Sequence, residues 1–86
     1  MNYYVYILYS EKIDRYYVGM SHDVETRLLY HNLGRKGWTK RGIPWRVVYR
    51  ILCRDKQHAL KLERYIKSQK SRDYIVQLLC GDVTFA

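Results

Sequence analysis

The segment Arg15–Asn32 reads RYYVGMSHDVETRLLYHN and predicts a strand that runs almost directly into a helix. Its first part, residues 15–20, is rich in aromatic and β-branched side chains, which favour strands. Ser21 can cap a helix over 22–32, because Asp23 then falls in the first turn, where a carboxylate is favourable. This segment therefore predicts a β–α unit with a very short link.

The rest of the chain supplies two further strands and two further helices. These predicted elements are a strand over 3–9, a strand over 45–53, a helix over 56–69 and a helix over 72–79. Residues 3–9, YYVYILY, are apolar on both faces, which fits the centre of a sheet. Their short link to residues 15–20 predicts a hairpin. The order ββαβαα predicts a mixed α+β fold, with a three-stranded antiparallel sheet flanked by about three helices.

Length and composition favour one domain over residues 1–86, because the chain has 86 residues and is too short for two. Hydrophobic residues make up 48%, enough for a packed core. The longest apolar run is far shorter than a membrane span, and no signal sequence precedes it. We therefore expect a cytoplasmic protein that makes no membrane contact.

The charge of the chain points to a polyanionic partner. Sixteen Lys and Arg residues oppose eight Asp and Glu residues, for a net charge of +8. Residues 34–46, GRKGWTKRGIPWR, contain no acid and interleave basic with aromatic side chains, a pattern that suits phosphate contact with base stacking. A solvated loop whose tryptophans pack on the core is the alternative, and it suits Trp45, which leads into a strand. The candidate nucleic-acid-binding residues are Arg35, Lys36, Trp38, Lys40 and Arg41.

Four polar side chains are expected to converge on one patch. Residues two apart in a strand share a face, so a hairpin that closes at 11–12 places Tyr6 opposite Tyr17. Arg27 and His31 are four apart on the next helix and therefore also share a face. The alternative is that the many tyrosines simply fill a core and expose their hydroxyl groups at its rim.

Glu63 is a fifth candidate, because it falls inside an apolar stripe. That stripe consists of Ala59, Leu62 and Ile66 on the helix over 56–69. An inward carboxylate is costly unless it has a partner. The partner could be Arg27, as a structural ion pair, or a divalent cation held by oxygen ligands.

In order and spacing, these residues resemble the GIY-YIG nuclease superfamily, in particular its small stand-alone bacterial branch. The first motif is present as Tyr4-Val5-Tyr6 and the second as Tyr17-Val18-Gly19. Arg27, His31 and Glu63 stand at the positions of the helical arginine, the residue four later and the acid of the later helix. The segments WTKRGIPWRVVY and KSRDYIVQLL are also similar to that branch, so the resemblance covers nearly the whole chain.

The resemblance implies a metal-dependent endonuclease that hydrolyses DNA phosphodiester bonds. Glu63 would bind Mg²⁺ or Mn²⁺, and Arg27 would hold the scissile phosphate. Tyr17 would be the general base, with Tyr6 beside it on water or phosphate. His31 would relay a proton, since a phenol alone is a poor base at neutral pH.

The setting that this implies is DNA repair or recombination, with weak sequence specificity or a preference for branched, flapped or single-stranded DNA. A protein partner or a homodimer could supply targeting. The alternative function is a catalytically silent nucleic-acid-binding module of the same fold. Three departures from the family pattern are Tyr4, in place of the first-motif glycine, Met20, where repair-type members carry lysine, and the lack of a match in residues 71–79 to the late asparagine of some members. The nuclease hypothesis requires Glu63 to lie on the same side of the sheet as the two phenols.

Overall fold

The computed structural model of the protein describes residues 2–34 and 37–81, apart from the side chain of Trp38. It confirms the α+β fold and the order ββαβαα. It also shows a short 3₁₀ helix within the basic segment 34–46. The elements are β1 (Tyr3–Ser10), β2 (Arg15–Ser21), α1 (Val24–Asn32), the 3₁₀ helix (Trp38–Gly42), β3 (Arg46–Cys53), α2 (Lys56–Ser68) and α3 (Arg72–Leu79). No helix of the described segments is both long enough and apolar enough to cross a membrane.

The three strands form one antiparallel sheet in the order β2-β1-β3. The central place of β1 was expected from its two apolar faces. The register between β1 and β3 shifts between Ile7 and Leu8, so the ladder is irregular at that point. Because β2 pairs only with β1, it is an edge strand of the sheet.

Side chains of β1 alternate between two separate apolar layers. Val5 and Ile7 belong to the layer covered by α2 and α3, whose buried residues are Ala59, Ile66 and Leu78. The alternate residues of β1 belong to the other layer, whose buried residues are Tyr6, Leu8, Val24 and Trp45. This second layer lies beneath α1 and the 3₁₀ helix, and it contains both candidate phenols.

The first helix begins later than predicted, at Val24. Its cap is Asp23 rather than Ser21, because the Asp23 carboxylate accepts hydrogen bonds from the Thr26 backbone N–H and hydroxyl at 3.1 and 2.7 Å. Ser21 still contributes, since its hydroxyl accepts from the Asp23 N–H at 2.9 Å. The helix is followed by Gly34 at a φ of +71°, a conformation that suits glycine.

A side-chain amide ties the end of α1 to the start of β3. The Trp45 N–H donates to Asn32 Oδ1 at 2.6 Å, and Asn32 Nδ2 donates to the Trp45 carbonyl at 3.0 Å. The Trp45 indole N–H donates to the Thr39 carbonyl at 2.6 Å, which fixes the 3₁₀ helix to the same anchor. Trp45 is buried, as expected from its position before a strand. These bonds hold the C-terminal turn of α1, and with it His31, over the sheet.

Candidate active site

The two phenols share one face of the sheet, although they are not directly opposite. The β1–β2 turn has four residues, 11–14, instead of the predicted two, so Tyr6 pairs with Gly19 and Leu8 pairs with Tyr17. The predicted pairing of Tyr6 with Tyr17 is therefore wrong by two residues. A shift of two keeps every side chain on its own face, and the two rings lie 6.5 Å apart between centroids.

Gly19 makes room for the Tyr6 ring. A Cβ atom at Gly19 would lie 2.5 Å from the Tyr6 hydroxyl oxygen and 2.6 Å from Cζ, with Tyr17 Cε1 at 3.1 Å. Glycine inside a strand commonly marks such a close approach. Gly19, the last residue of the second motif, therefore allows the Tyr6 ring to pack directly against the backbone of β2.

Replacing Gly19 by alanine is expected to displace the Tyr6 ring and lower both stability and cleavage. Overpacking of this kind costs about 1–3 kcal/mol in the free energy of unfolding. A displacement of about 1 Å at a reacting group can lower the rate about a hundredfold. Chemical denaturation and initial cleavage rates measure the two effects.

The matched control for Gly19→Ala is a double-mutant cycle with Tyr6→Leu, which removes the clashing atoms. We expect the two losses of unfolding free energy to be clearly non-additive, because the pair is in direct contact. Simple additivity, or a Gly19→Ala protein with normal stability and rate, would show that the close approach has no consequence.

His31 lies between the two phenols and is buried, with 4% of its surface exposed. Its Nε2 atom is 3.4 Å from the Tyr6 hydroxyl, and its ring centroid is 4.7 Å from that of Tyr17. The Nδ1 atom is buried without a hydrogen-bond partner among the described residues. The imidazole therefore lies against both phenols, with Nε2 towards Tyr6 and Nδ1 buried and unsatisfied.

Burial governs the protonation of this cluster. It raises the pKa of Tyr6; the Arg27 guanidinium opposes this effect, whereas Tyr17 and Glu63 add to it. Burial also lowers the pKa of His31, and the positive charge of Arg27 lowers it further. Near neutral pH, Tyr6 is therefore a protonated phenol that can donate a hydrogen bond, and His31 is a neutral imidazole that can accept a proton.

Arg27 places a guanidinium at the exposed side of the cluster. Its Cζ lies 5.2 Å from the centroid of the Tyr30 ring, one turn of α1 away, which supports the long side chain. The Arg27 guanidinium lowers the pKa of His31, which lies four residues later on the same helix. It also opposes the rise in the pKa of Tyr6. A permanent charge is thus held beside the phenols and open to an anion from solvent.

Glu63 faces inward as predicted, but its ion-pair partner is not Arg27. The carboxylate is 19% exposed, and its Oε2 lies 3.3 Å from the Lys67 Nζ, one helical turn later. Of the two partners considered for Glu63, Arg27 is therefore not the one that the structure shows. A residue four positions along the same helix competes more easily for a carboxylate than one on a different element.

The end of α2 reaches the layer that contains the phenols by way of the β2 edge. The apolar stripe of α2 packs in the opposite layer, yet α2 also contacts β2, the edge strand. Lys67 Nζ lies 5.9 Å from the centroid of the Tyr17 ring, and the Glu63 carboxylate raises the pKa of Tyr6. Glu63 thus stands on a helix that packs against the opposite layer, and it reaches the phenols through its charge, which raises the pKa of Tyr6.

The donor set at Glu63 suits a hard divalent cation that keeps most of its own water. No group of three or more His, Cys, Asp or Glu side chains gathers within residues 2–34 and 37–81. Mg²⁺, however, is commonly bound by one or two carboxylates together with water and substrate phosphate. The Lys67 ammonium, 3.3 Å from Glu63 Oε2, balances this carboxylate, so a bound cation would take its place.

The predicted nucleic-acid-binding loop is described only in part. Lys40 and Arg41 are exposed on the 3₁₀ helix, which contacts α1. Arg35 and Lys36, together with the Trp38 side chain, lie outside the described residues. The two described cations thus lie on the same side of the sheet as the phenols.

Sequence reasoning did not find two residues of this cluster. Gly19 was noted only as part of a motif, although a glycine between strand residues is itself a signal of close packing. Lys67 lies four residues after Glu63, a spacing at which opposite charges commonly pair. Its contact with Tyr17 depends on how α2 crosses the edge of the sheet, which no local pattern shows.

Comparison with known proteins agrees with this geometry. The sequence profile of the GIY-YIG catalytic domain matches residues 2–75, so the protein belongs to the GIY-YIG family. The solution NMR structure of the UPF0213 protein BH0048 from Bacillus halodurans is similar in fold, with a TM-score of 0.58 and 32% sequence identity. That similarity covers 93% of this chain and 84% of the other. No curated protein matches the chain significantly.

Family membership indicates a nuclease in general terms. The GIY-YIG catalytic domain is an endonuclease fold that acts on DNA, and its members generally depend on a divalent metal.

Proposed function

We propose that this protein, as a single domain over residues 1–86, is a divalent-metal-dependent endonuclease that hydrolyses DNA phosphodiester bonds. The observation that carries the proposal is the convergence of Tyr6, Tyr17 and His31, whose ring centroids are within 6.5 Å of one another. Arg27 and Glu63 both act electrostatically on that cluster. These contacts support the proposal that a base, a phosphate-binding cation and a metal ligand act together at this cluster.

Tyr17 is the proposed general base and His31 the proposed proton acceptor behind it. A phenol has a pKa of about 10 in water, so it needs help to take a proton from water at neutral pH. The buried imidazole beside Tyr17 is proposed to supply that help, because its lowered pKa leaves it neutral and able to accept a proton. Tyr6 keeps its own proton and is proposed to donate a hydrogen bond to the attacking water or to a phosphate oxygen.

Arg27 and Glu63 are proposed to neutralise charge at the phosphate. The Arg27 guanidinium can make two parallel hydrogen bonds to phosphate oxygens. Glu63 would hold Mg²⁺ or Mn²⁺, which supplies positive charge for the phosphoryl oxygens and the leaving group. The side chain of Lys67, above the Tyr17 ring, is proposed to provide the cation that repair-type members place where this chain has Met20.

The proposed substrates are branched, flapped or single-stranded DNA, cut with weak sequence specificity during repair or recombination in the cytoplasm. Lys40 and Arg41, which are exposed on the same side of the sheet as the phenols, support weak sequence specificity. Such side chains contact backbone phosphates, which are the same in every sequence. A protein partner or a second copy of the chain could then provide targeting.

The proposal is tested by incubating the protein with flapped, branched, single-stranded and duplex DNA in Mg²⁺, Mn²⁺ or EDTA. We expect metal-dependent nicking of at least one non-duplex substrate and its loss in Tyr17→Phe. Nicking that persists in EDTA, or that is unchanged in Tyr17→Phe, would refute the proposed chemistry.

The second candidate function is a nucleic-acid-binding module without turnover. One observation favours it: the Glu63 carboxylate is already engaged by Lys67 at 3.3 Å. Such a protein would bind DNA in a salt-sensitive way and form no product on any substrate with either metal.

The rate of cleavage is expected to be highest at pH values where His31 is neutral. Because the pKa of His31 is lowered by burial and by Arg27, the rate should stay high down to about pH 6.5 and fall only at lower pH. A pH–rate profile under conditions where chemistry is limiting measures this. A flat profile from about pH 8 to pH 5 would contradict the proton-acceptor role.

The same shift gives a stability signature that is independent of turnover. Between the lowered pKa of folded His31 and its ordinary value in the unfolded chain, the unfolded state binds more protons. The contribution of His31 to the free energy of unfolding is therefore fully present above its ordinary pKa. It is lost as the pH falls through that window. We expect His31→Phe to reduce this dependence on pH in denaturation experiments.

A further inference from the structure

An open cavity runs along the outer edge of β2, beside the cluster of Tyr6, Tyr17 and His31. Its volume is about 400 Å³, within the range of ligand pockets. One wall is formed by residues 14–18, along the edge of β2 that pairs with no other strand. The other wall is formed by residues between Ile66 and Ile75, at the junction of α2 and α3. We call this cavity the β2-edge groove. Tyr17 and Lys67 line it, so it opens directly beside the candidate base.

The β2-edge groove has an excess of positive charge. Four cationic side chains and one acidic side chain line it: Arg15, Lys67, Lys70, Arg72 and Asp14. The acid is neutralised by Arg72, whose guanidinium donates to the Asp14 carboxylate at 2.7 Å and to its carbonyl at 3.0 Å. This contact, together with the hydrogen bond from Tyr9, lowers the pKa of Asp14, so the Asp14–Arg72 pair stays ionised and adds no net charge.

Arg15 and Lys70 are the groove cations available to a ligand. Both are exposed, and neither forms an ion pair with any of the described residues. They approach the groove from opposite walls, Arg15 from β2 and Lys70 from the turn between α2 and α3. Lys70 has a φ of +48°, which allows a sharp turn there.

The groove also contains an aromatic surface. The Tyr16 ring is partly buried, with the Arg72 guanidinium 5.4 Å from its centroid and the Tyr9 ring 4.8 Å away. Cations that follow a backbone, together with aromatic rings on which bases stack, are the combination that binds single-stranded nucleic acid. The volume of about 400 Å³ suits a short segment of such a strand.

We propose that the β2-edge groove binds a single-stranded segment of the nucleic acid next to the scissile phosphate, with Arg15 and Lys70 on its phosphates. The proposal rests on the proposed function, because it places the cut at Tyr17, at one end of the groove. It implies a substrate with an unpaired strand on one side of the cut, which a flap or a fork provides.

The test is equilibrium binding of the full chain in EDTA, where no cleavage occurs. The probe is a fluorescein-labelled oligothymidine of about 12 nucleotides, with a blunt duplex as the comparison. We expect Arg15→Ala/Lys70→Ala to weaken binding of the single strand about tenfold at low salt. The slope of log affinity against log salt should become shallower by about 1.4, since each single-strand phosphate contact contributes about 0.7. Duplex binding should change much less.

The matched control is Lys56→Ala/Lys61→Ala, which removes the same charge from exposed positions on α2 that do not line the groove. It should leave the salt slope unchanged. An unchanged slope in the groove variant, equal losses for both double variants, or equal losses for single strand and duplex would each overturn the proposal. None of these outcomes bears on metal-dependent cleavage, which Tyr17→Phe tests separately.

Discussion

Replacing Glu63 by glutamine is expected to lower Mg²⁺-dependent cleavage about a hundredfold or more while the protein stays folded. Glutamine keeps the shape of the side chain but removes the negative charge that would hold a cation. A bound metal contributes several kcal/mol to transition-state stabilisation, and each 1.36 kcal/mol is a factor of ten in rate. The variant also loses the pair with Lys67, but half of the Lys67 side chain is exposed, so its effect on stability is small.

The measurement is the initial rate of nicking as a function of Mg²⁺ concentration, with metal binding followed by calorimetry. Glu11→Gln is the matched control, because Glu11 pairs with Arg46 at 3.3 Å on the exposed turn and lies away from the phenols. Glu11→Gln should retain the wild-type rate. If Glu63→Gln cleaves normally with the same metal requirement, Glu63 is not the metal ligand and the proposed chemistry is wrong.

Arg27→Lys is expected to lose most of the activity, about a hundredfold in rate, even though the charge is conserved. Lysine presents a single ammonium and cannot make two parallel hydrogen bonds to a phosphate. Arg27 is exposed, beside the Tyr30 ring and the Tyr6 hydroxyl, so the fold should tolerate a lysine there. Rates and unfolding curves are measured on the same preparations.

The control for Arg27→Lys is Arg64→Lys, an identical change at an exposed position on α2. It should leave both rate and stability unchanged. Full activity of Arg27→Lys would mean that only a positive charge is required at this position, and the two-bond argument would fail. An unfolded Arg27→Lys protein would instead assign Arg27 a role in holding the fold.

Most of the fold could be predicted from sequence because strong local signals agreed with one another. The central place of β1, which is apolar on both faces, and the bounds of α2 and α3 each follow from nearby residues. The β1–β2 turn was predicted two residues too short, since turn length depends on details of the loop. The error did not move the phenols, because a shift of two preserves the face of every residue.

The candidate site could be predicted less completely, because two of its contacts depend on tertiary placement. The pairing of Glu63 with Lys67, and the position of Lys67 over Tyr17, depend on how α2 crosses the edge of β2. The groove between that edge and the α2–α3 junction arises in the same way. Hydrophobic periodicity shows which side of a helix faces inward, but not where its end lies relative to a strand.

The two layers of the sheet separate the requirements of folding from those of chemistry. Along β1, odd-numbered Val5 and Ile7 face the layer packed by α2 and α3, whereas even-numbered Tyr6 faces the phenol cluster. Substitutions at Val5, Tyr6 and Ile7 should therefore divide by the face on which each side chain lies. Conservative changes at the odd positions would reduce the amount of folded protein in the cell, whereas Tyr6→Phe would leave abundance intact and reduce turnover.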